Sequence, residues 1–431
     1  MTERSTEAVL DPLRHASWRF GVLVAVLVVY TFLFLFAWSL QLQHGLVVTG
    51  LGDWGPGGGI PWGFYIGTFI WWIGIAHGGI AVSAAVRVFK VDDFEPIARI
   101  AEVLTIIALS MAAANIIFDL GRPDRLFNTI EMLPSTIYHS PLAWDITVIA
   151  LYFVLSITYL ILTLRSELHA IRDRLPTYLQ PLYSLFLIGY RPEEDEKMER
   201  MAWWLAIAIL GLVPLLSGGV VPWLFGLIGS QPGWFGAAAG PSMLIESLTS
   251  ALAMVTIVAA TFRYVYDWEF IDRDVFRGLA KVLGFLALAV LWFFLQEVLP
   301  GAYAPPTESA TMTQALLKMP MFWLSVIGIN LGMLYLFLGL IRPRLFKLPL
   351  VVLAAASITL SIWMKKVSFV VEGLLHPSYP PLTNLYPEGV YAPSPIELTI
   401  TLGSIILAIL LFAVATKVIP MVEIDTEEVE S

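Results

Sequence analysis

Ionisable side chains crowd into one short stretch of the sequence, FDLGRPDR, residues Phe118 to Arg125, directly after a long apolar run. A second motif, HSPLAWD, follows after a short connection and adds His139 and Asp145. The two motifs place carboxylates and an imidazole at the edge of an apolar layer. Such groups can accept protons from a bound substrate and pass them to the adjoining water.

A structural role is the alternative for part of this cluster. Asp119 and Arg122 are three residues apart, a spacing at which the two side chains can form an ion pair that fixes the loop. We favour this ion pair as the interpretation of Arg122. Asp145 follows Trp144 inside an apolar run, and we interpret it as a functional carboxylate.

Further ionisable residues occur deeper in other apolar runs. Each costs roughly 2.5–3.5 kcal/mol at the centre of a membrane span, so it needs a partner or a function. Lys365 and Lys366 are expected to pair with Glu372 or Glu297. The remaining polar residues could relay protons or could be hydrogen-bonded core, and the sequence leaves both open: His77, Glu102, Asn115 and Glu246.

The composition identifies the class of protein that positions these residues. Of 431 residues, 58% are hydrophobic and 14% charged, and the mean hydropathy is +0.78. These values predict an all-α, polytopic integral membrane protein. The chain has no cysteine for a disulfide or a thiolate-ligated iron–sulfur cluster. A single histidine within the spans, His77, does not provide the two facing ligands of a bis-histidine haem. No basic face suggests nucleic acid.

The apolar runs predict ten transmembrane helices in a single membrane domain, residues 20–418. Residues 1–19 form an N-terminal segment, residues 419–431 form an acidic tail, and no cleaved signal peptide is expected. Most Lys and Arg residues lie on the side of the two termini, so both termini are predicted to be cytoplasmic. The predicted spans are 20–42, 62–88, 96–119, 141–164, 200–228, 241–265, 276–298, 321–341, 348–373 and 395–418.

Four glycines of the second span lie on one helical face, at positions 63, 67, 74 and 78. A face without side chains lets another helix, or a flat ligand, approach the backbone closely. Tight helix packing is the favoured interpretation.

Several motifs together resemble one protein family. The stretch WGFYIGTFIWWIGIAHGG, the motifs DLGRPDR and SPLAWD, and the late Y-x-P-S-P-I-E motif from Tyr391 to Glu397 are similar to the NrfD/PsrC family of membrane quinone-reactive subunits. The resemblance covers nearly the whole chain. Ten spans resemble the longer members, which include membrane subunits of alternative complex III and of periplasmic hydrogenases.

The resemblance implies an activity and partners. Such a subunit binds quinone or quinol (menaquinone or ubiquinone) near the periplasmic face of the cytoplasmic (inner) membrane, and carries no haem or cluster of its own. It exchanges electrons with a periplasmic, ferredoxin-like iron–sulfur subunit. A further subunit of molybdopterin, hydrogenase or multihaem cytochrome type supplies the substrate chemistry. Some members are also credited with proton translocation.

The resemblance also implies roles for individual residues. Asp145 matches the acidic residue of the SP-x-x-W-D motif, which is similar to a quinol proton acceptor. Asp119 stands where relatives carry histidine, and His139 is a candidate to supply that imidazole. The candidate catalytic residues are Asp119, His139 and Asp145. The candidate quinone-binding residues are Tyr65, Trp62, Arg122 and Trp144, and the candidate inner proton pathway comprises His77, Glu102, Asn115 and Glu246.

Two other functions remain open at this stage. A proton-coupled secondary transporter could use the buried carboxylates and lysines, although no inverted repeat is evident. A structural anchor could use the rim charges only to hold a peripheral subunit. Substitutions at the rim would spare catalysis in an anchor but not in a quinone site.

Overall fold

The computed structural model describes residues 6–52, 60–228, 231, 233–234, 236, 238–303, 307–375 and 391–424. Fifteen α-helices, joined by short 3₁₀ turns and interrupted by one π turn, make up the regular structure of these residues. The helices are α1 Thr6–Arg14, α2 Trp18–His44, α3 Phe64–Arg87, α4 Glu95–Asp119, α5 Leu126–Thr136, α6 Pro141–Ile171, α7 Gln180–Phe186, α8 Asp195–Leu215, α9 Val221–Gly226, α10 Ala239–Val265, α11 Arg273–Tyr303, α12 Thr307–Lys318, α13 Pro320–Ile341, α14 Leu348–Leu375 and α15 Pro395–Ala415.

Ten of the described helical segments are long and apolar enough to cross a membrane, as the sequence predicts. They are α2, α3, α4, α6, the continuous α8–α9 segment, α10, α11, α13, α14 and α15. Helices α6 and α11 extend further than predicted. An even number of described spans places α1 and the segment that follows α15 at one end of the bundle. We call this the terminal end, and the opposite end, which carries the FDLGRPDR stretch, the distal end.

Helix α3 is the centre of the bundle because neighbouring helices cover it on all sides. It packs against α4, α8, α10, α14 and α15, and most of its side chains are buried. Helices α3, α4, α6 and α8 form one group, and α10, α11, α13 and α14 form a second. Helices α2 and α15 pack together at one side, where α15 also contacts α4.

The glycines of α3 explain how its neighbours come so close. A Cβ atom added to Gly67 would lie 2.8 Å from Val367 Cα, and one added to Gly74 would lie 3.1 Å from Ser247 Cα. At Gly79 it would lie 2.4 Å from the Ala101 carbonyl oxygen. These separations leave no room for a side chain. Tight helix packing, the favoured interpretation of the glycine face, is therefore confirmed.

One π turn, Leu216–Val220, interrupts the fifth span between α8 and α9. Pro222 lacks the N–H that would bond to the Gly218 carbonyl in a regular helix, which breaks the hydrogen-bond ladder at this point. A π turn shifts the register of the side chains that follow it. Ser217, within the turn, contacts His77 of α3.

The chain segments outside the spans at the terminal end also pack into the fold. Val9, Leu10 and Leu13 of α1 are buried, as is Val422 near the C-terminus. Of the N-terminal segment and acidic tail expected from the sequence, residues 1–5 and 425–431 lie outside the described residues.

Candidate functional site

The distal end of α3 is held by the late Y-x-P-S-P-I-E motif. Glu397, fully buried at the start of α15, accepts hydrogen bonds from the backbone N–H groups of Gly50 at 2.8 Å and Phe64 at 3.2 Å. The Tyr391 hydroxyl also accepts from Phe64 N, at 3.0 Å, and donates to Glu397. Burial and the Glu397 carboxylate raise the pKa of the Tyr391 hydroxyl, which keeps it a donor. A carboxylate here complements the positive end of the α3 dipole.

Polar groups and aromatic rings meet beside this cap. Tyr65, fully buried, donates from its hydroxyl to Gln41 Oε1 at 2.7 Å, and Gln41 Nε2 donates to the Phe118 carbonyl at 2.6 Å. The Trp38 ring meets the edge of Phe118 at a centroid distance of 5.3 Å. Asp119, the next residue, lies within electrostatic range of Tyr65. Helices α2, α3 and α4 thus share one aromatic and polar cluster.

Two polar atoms of this cluster are buried without a hydrogen-bond partner among the described residues: Trp38 Nε1, a donor, and Asp119 Oδ1, an acceptor. Leaving such groups unpaired costs about 1–3 kcal/mol each. Trp38 packs on Phe118, and Asp119 is the residue that follows Phe118 in α4. An unpaired donor and an unpaired acceptor on adjoining helices suit a ligand that offers both kinds of group.

Asp145 lies near the distal end of α6 and is fully buried. Neither of its carboxylate oxygens has a hydrogen-bond partner in the described part of the chain. Helix α6 begins at Pro141, shortly before Asp145. Asp145 therefore lies near the start of a helix that enters the apolar layer. A buried carboxyl group without a hydrogen-bond partner in the described chain can bond to water or to a bound molecule.

Two predicted site residues lie away from this buried cluster. His139 is exposed in the turn before α6. Arg122 is also exposed, and it pairs with Asp124 through Nε–Oδ1 and Nη2–Oδ2 contacts of 2.9 and 2.8 Å. The predicted Asp119–Arg122 ion pair is therefore wrong, because the turn after α4 aligns Arg122 with Asp124. Hydrogen bonds from Arg122 lower the pKa of Asp124.

The two predicted tryptophans have different surroundings. Trp144 donates from Nε1 to the Ile137 carbonyl at 2.5 Å, which ties the start of α6 to the end of α5. Trp62 stacks on Trp234 at a centroid distance of 5.8 Å and meets the edge of Phe225. Trp62 therefore belongs to an aromatic cluster around Trp234, and Trp144 belongs to the connection between α5 and α6.

His77 lies at the centre of the first helix group and is fully buried. Its Nε2 lies 2.6 Å from Ser217 Oγ of the π turn, and its ring stacks on Tyr152 of α6. The Tyr152 hydroxyl donates to the Ala76 carbonyl at 3.0 Å. The π turn changes the register of the fifth span, and its Ser217 hydroxyl thereby becomes the partner of His77. Asn115, also fully buried, donates to the Met111 carbonyl, and its Oδ1 is unpaired among the described residues.

Nearer the terminal end, a buried ion-pair network surrounds Arg99. Arg99 Nη2 lies 2.7 Å from Glu167 Oε1, and Arg99 Nε lies 3.5 Å from Glu102 Oε2. Ser83 donates to Glu102 at 2.6 Å. Glu423, from the C-terminal segment, lies 3.8 Å from Arg99 and 2.6 Å from Arg87. The network sets two guanidinium groups against three carboxylates, and Arg99, Glu102 and Glu167 lie inside the protein rather than in solvent.

Glu246 belongs to a separate cluster in the second helix group. Its two carboxylate oxygens each lie 2.5 Å from a lysine Nζ, one from Lys365 and the other from Lys366. Lys365 also lies 3.1 Å from Glu297, which confirms one of its two predicted partners. The structure therefore divides the predicted pathway residues: His77 and Glu102 lie along the first group, and Glu246 pairs with lysines in the second.

Sequence reasoning missed several residues of these clusters. Trp38 and Gln41 lie in an ordinary apolar span, and only the fold brings them to Tyr65 and Phe118. Arg99 and Glu167 lie near predicted span ends, where charges are expected to be exposed. The sequence did point to Glu397, because it ends the Y-x-P-S-P-I-E motif, which resembles the NrfD/PsrC family.

The helices and buried charges define an integral, multi-pass membrane protein with polar groups inside its membrane domain. The sequence profile described as "Polysulphide reductase, NrfD" matches residues 55–375, most of the chain. The chain belongs to this NrfD family, as its motifs indicate.

Three curated relatives are reductase or oxidoreductase subunits by name. A Halobacterium salinarum protein, provisionally named as a membrane subunit of dimethyl sulfoxide reductase, is 31% identical over 66% of this chain, and the match spans 60% of that relative's length. A selenate reductase subunit of Mesobacillus selenatarsenatis is 24% identical over 89% of this chain and 90% of its own length. An Hdr-like menaquinol oxidoreductase integral membrane subunit of Archaeoglobus fulgidus is 23% identical over 96% of both chains.

Proposed function

We propose that this protein is the quinone-reactive membrane subunit of a respiratory oxidoreductase complex. Quinone or quinol binds at the distal end, beside Asp119 and Asp145. By the positive-inside rule this end faces the periplasm and both termini face the cytoplasm. The observation that carries the proposal is Asp145, a fully buried carboxyl group with both oxygens unpaired in the described structure.

The chemistry of a quinol matches the unpaired groups. A quinol hydroxyl donates to a carboxylate oxygen and gives up its proton when the ring is oxidised, so Asp145 and Asp119 serve as proton acceptors. Trp38 Nε1 donates to a ring oxygen. Tyr65, held by Gln41, fixes one wall of the site. The reverse reaction, quinone reduction, uses the same groups as donors.

The electrons leave for a partner protein, because this chain has no cysteine to hold a cluster. A periplasmic iron–sulfur subunit docked on the distal end would receive them. The exposed Arg122–Asp124 pair and His139 lie at that end and are available to contact it. The names of the three relatives support a multi-subunit reductase or menaquinol oxidoreductase. Gentle purification from the native membrane followed by mass spectrometry tests this, and recovery of the chain alone would count against it.

We expect Trp38→Phe to raise the KM for quinol roughly two- to tenfold, with a smaller effect on kcat. The change keeps an aromatic ring against Phe118 but removes one neutral hydrogen-bond donor, worth about 0.5–1.5 kcal/mol. Steady-state kinetics of the purified complex with a short-chain quinol measure the effect. Trp18→Phe, at an exposed ring, is the matched control. Equal KM values for both variants and the wild type would remove Trp38 from the site.

A proton pathway towards the terminal end is part of the proposal. Polar residues recur at helical spacing along one buried face of α6, and His77 and Glu102 lie against this face on neighbouring helices. These polar residues form a line from Asp145 at the distal end to the Arg99 network. Glu246 lies outside it. The residues of α6 on this face are Asp145, Tyr152, Ser156, Tyr159 and Glu167.

We expect Glu102→Gln to lower the number of protons translocated per electron while quinol turnover continues. The amide still accepts from Ser83, and Arg99 keeps its pair with Glu167, but the side chain no longer carries an exchangeable acidic proton. The measurement is the pH change on quinol oxidation by the complex in sealed proteoliposomes. Glu196→Gln, at an exposed pair with Arg200, is the control. Unchanged translocation would exclude Glu102 from the pathway.

A further inference from the structure

A cavity of about 110 Å³ lies in the second helix group, apart from the distal carboxylates. Helices α10, α11 and α14 and the chain before α10 enclose it. Trp234, Phe293 and Phe369 supply aromatic walls, and Lys366 and Glu246 supply a charged floor. The exposed lining residues are Gly236 and Glu297. The mouth therefore lies near the distal end, beside α11.

Among the described residues that line this cavity, Lys366 is incompletely satisfied. Its side chain is 2% exposed, and it has one ionic contact, 2.5 Å to Glu246 Oε2. Its Nζ makes no well-directed hydrogen bond to any described residue, although an ammonium group has three N–H donors. Lys365, by contrast, contacts both Glu246 and Glu297 and lies over the Phe294 ring. The remaining N–H donors of Lys366 can bond to acceptor atoms that enter the cavity.

The charges of the cavity select the kind of acceptor. Two lysines face two carboxylates, so the formal charges cancel and a free anion gains little net attraction. A neutral molecule with an oxygen acceptor satisfies Lys366 without adding charge. The aromatic walls favour a flat ring. At about 110 Å³ the cavity is smaller than the roughly 150 Å³ cavity known to take benzene, so it admits the carbonyl edge of one ring while the rest of the ring stays at the mouth.

We propose that this cavity is a second binding site for a quinone-type headgroup, a flat ring whose carbonyl oxygen accepts from Lys366. The proposal rests on the proposed use of quinone by this protein, and it adds a site in the other helix group. Glu246 is the positioning residue, because its carboxylate holds the Lys366 ammonium against the cavity. The mouth beside α11 gives access to a ligand that arrives through the membrane, since α11 exposes much of its apolar surface.

The test is the stoichiometry of binding of decylubiquinone to the purified full-length chain in quinone-free lipid nanodiscs, measured by equilibrium dialysis. Two variants are directed at the cavity. Lys366→Met removes the donor and leaves Glu246 paired with Lys365, whereas Ala239→Phe fills the space and leaves all four charges in place. Lys347→Met, at an exposed lysine, is the matched control. Retained melting temperature establishes that each variant is folded.

We expect the wild type and the control to bind two equivalents and each cavity variant to bind one. A single equivalent that neither variant removes would overturn the second site and leave the distal site standing. A single equivalent that both variants abolish would support the cavity and contradict the distal site. Absence of any bound quinone would overturn both. If only water contacts Lys366 in the cavity, the result is either a single equivalent that neither variant removes or no bound quinone.

Discussion

We expect Asp145→Asn to lower quinol turnover of the assembled complex by about 10²–10⁴-fold, the range typical of a lost general acid–base group. The amide has nearly the shape of the carboxyl group, but it does not accept a proton from a quinol hydroxyl. Both oxygens of Asp145 are buried and unpaired in the described structure, so the substitution breaks no hydrogen bond within the protein. Loss of turnover would therefore report on chemistry rather than on folding.

The measurement is quinol-dependent reduction of an artificial acceptor by the purified complex, with its full set of subunits checked on a gel. Asp124→Asn is the matched control, because Asp124 lies at the same end of the molecule but is exposed and paired with Arg122. The control should retain turnover. Full turnover in Asp145→Asn would show that the buried carboxylate has a structural role, as expected of an anchor. A complex that fails to assemble would likewise contradict the prediction.

The largest effect on stability is expected for Arg99→Met, about 3–5 kcal/mol of destabilisation. Arg99 is fully buried, and its guanidinium lies between Glu102 and Glu167. Methionine fills much of the same space but leaves two carboxylates without their central cation. The cost arises from these uncompensated charges more than from the loss of one attractive pair. Thermal unfolding of the protein in a mild detergent measures it.

Two further variants make the Arg99 test specific. Arg200→Met removes a cation from an exposed pair with Glu196 and should cost no more than about 1 kcal/mol. Arg99→Met combined with Glu167→Gln should recover part of the lost stability, since one of the stranded charges is then removed. Equal melting temperatures for Arg99→Met and Arg200→Met would refute the account of the network.

The ten spans follow from the sequence because an apolar run that crosses a bilayer must satisfy its own backbone hydrogen bonds, which makes it a helix. The same local logic located Asp119 and Asp145 at span ends and recognised the glycine face of α3 as a packing surface. It could not choose between partners for Arg122. The pair with Asp124 depends on the path of the turn after α4, and residue spacing alone favoured Asp119.

The sequence by itself thus determined the fold class, the family and the carboxylates worth testing, because hydropathy and short motifs are local properties. Tertiary structure decided which buried groups meet. Glu246 lies apart from His77 because α10 places it against the lysines of α14. The π turn places Ser217 against His77. Trp38, Arg99 and Glu397 acquired their surroundings from helices distant in the chain. Partners in a buried polar cluster are chosen by helix packing, and helix packing is a property of the whole bundle.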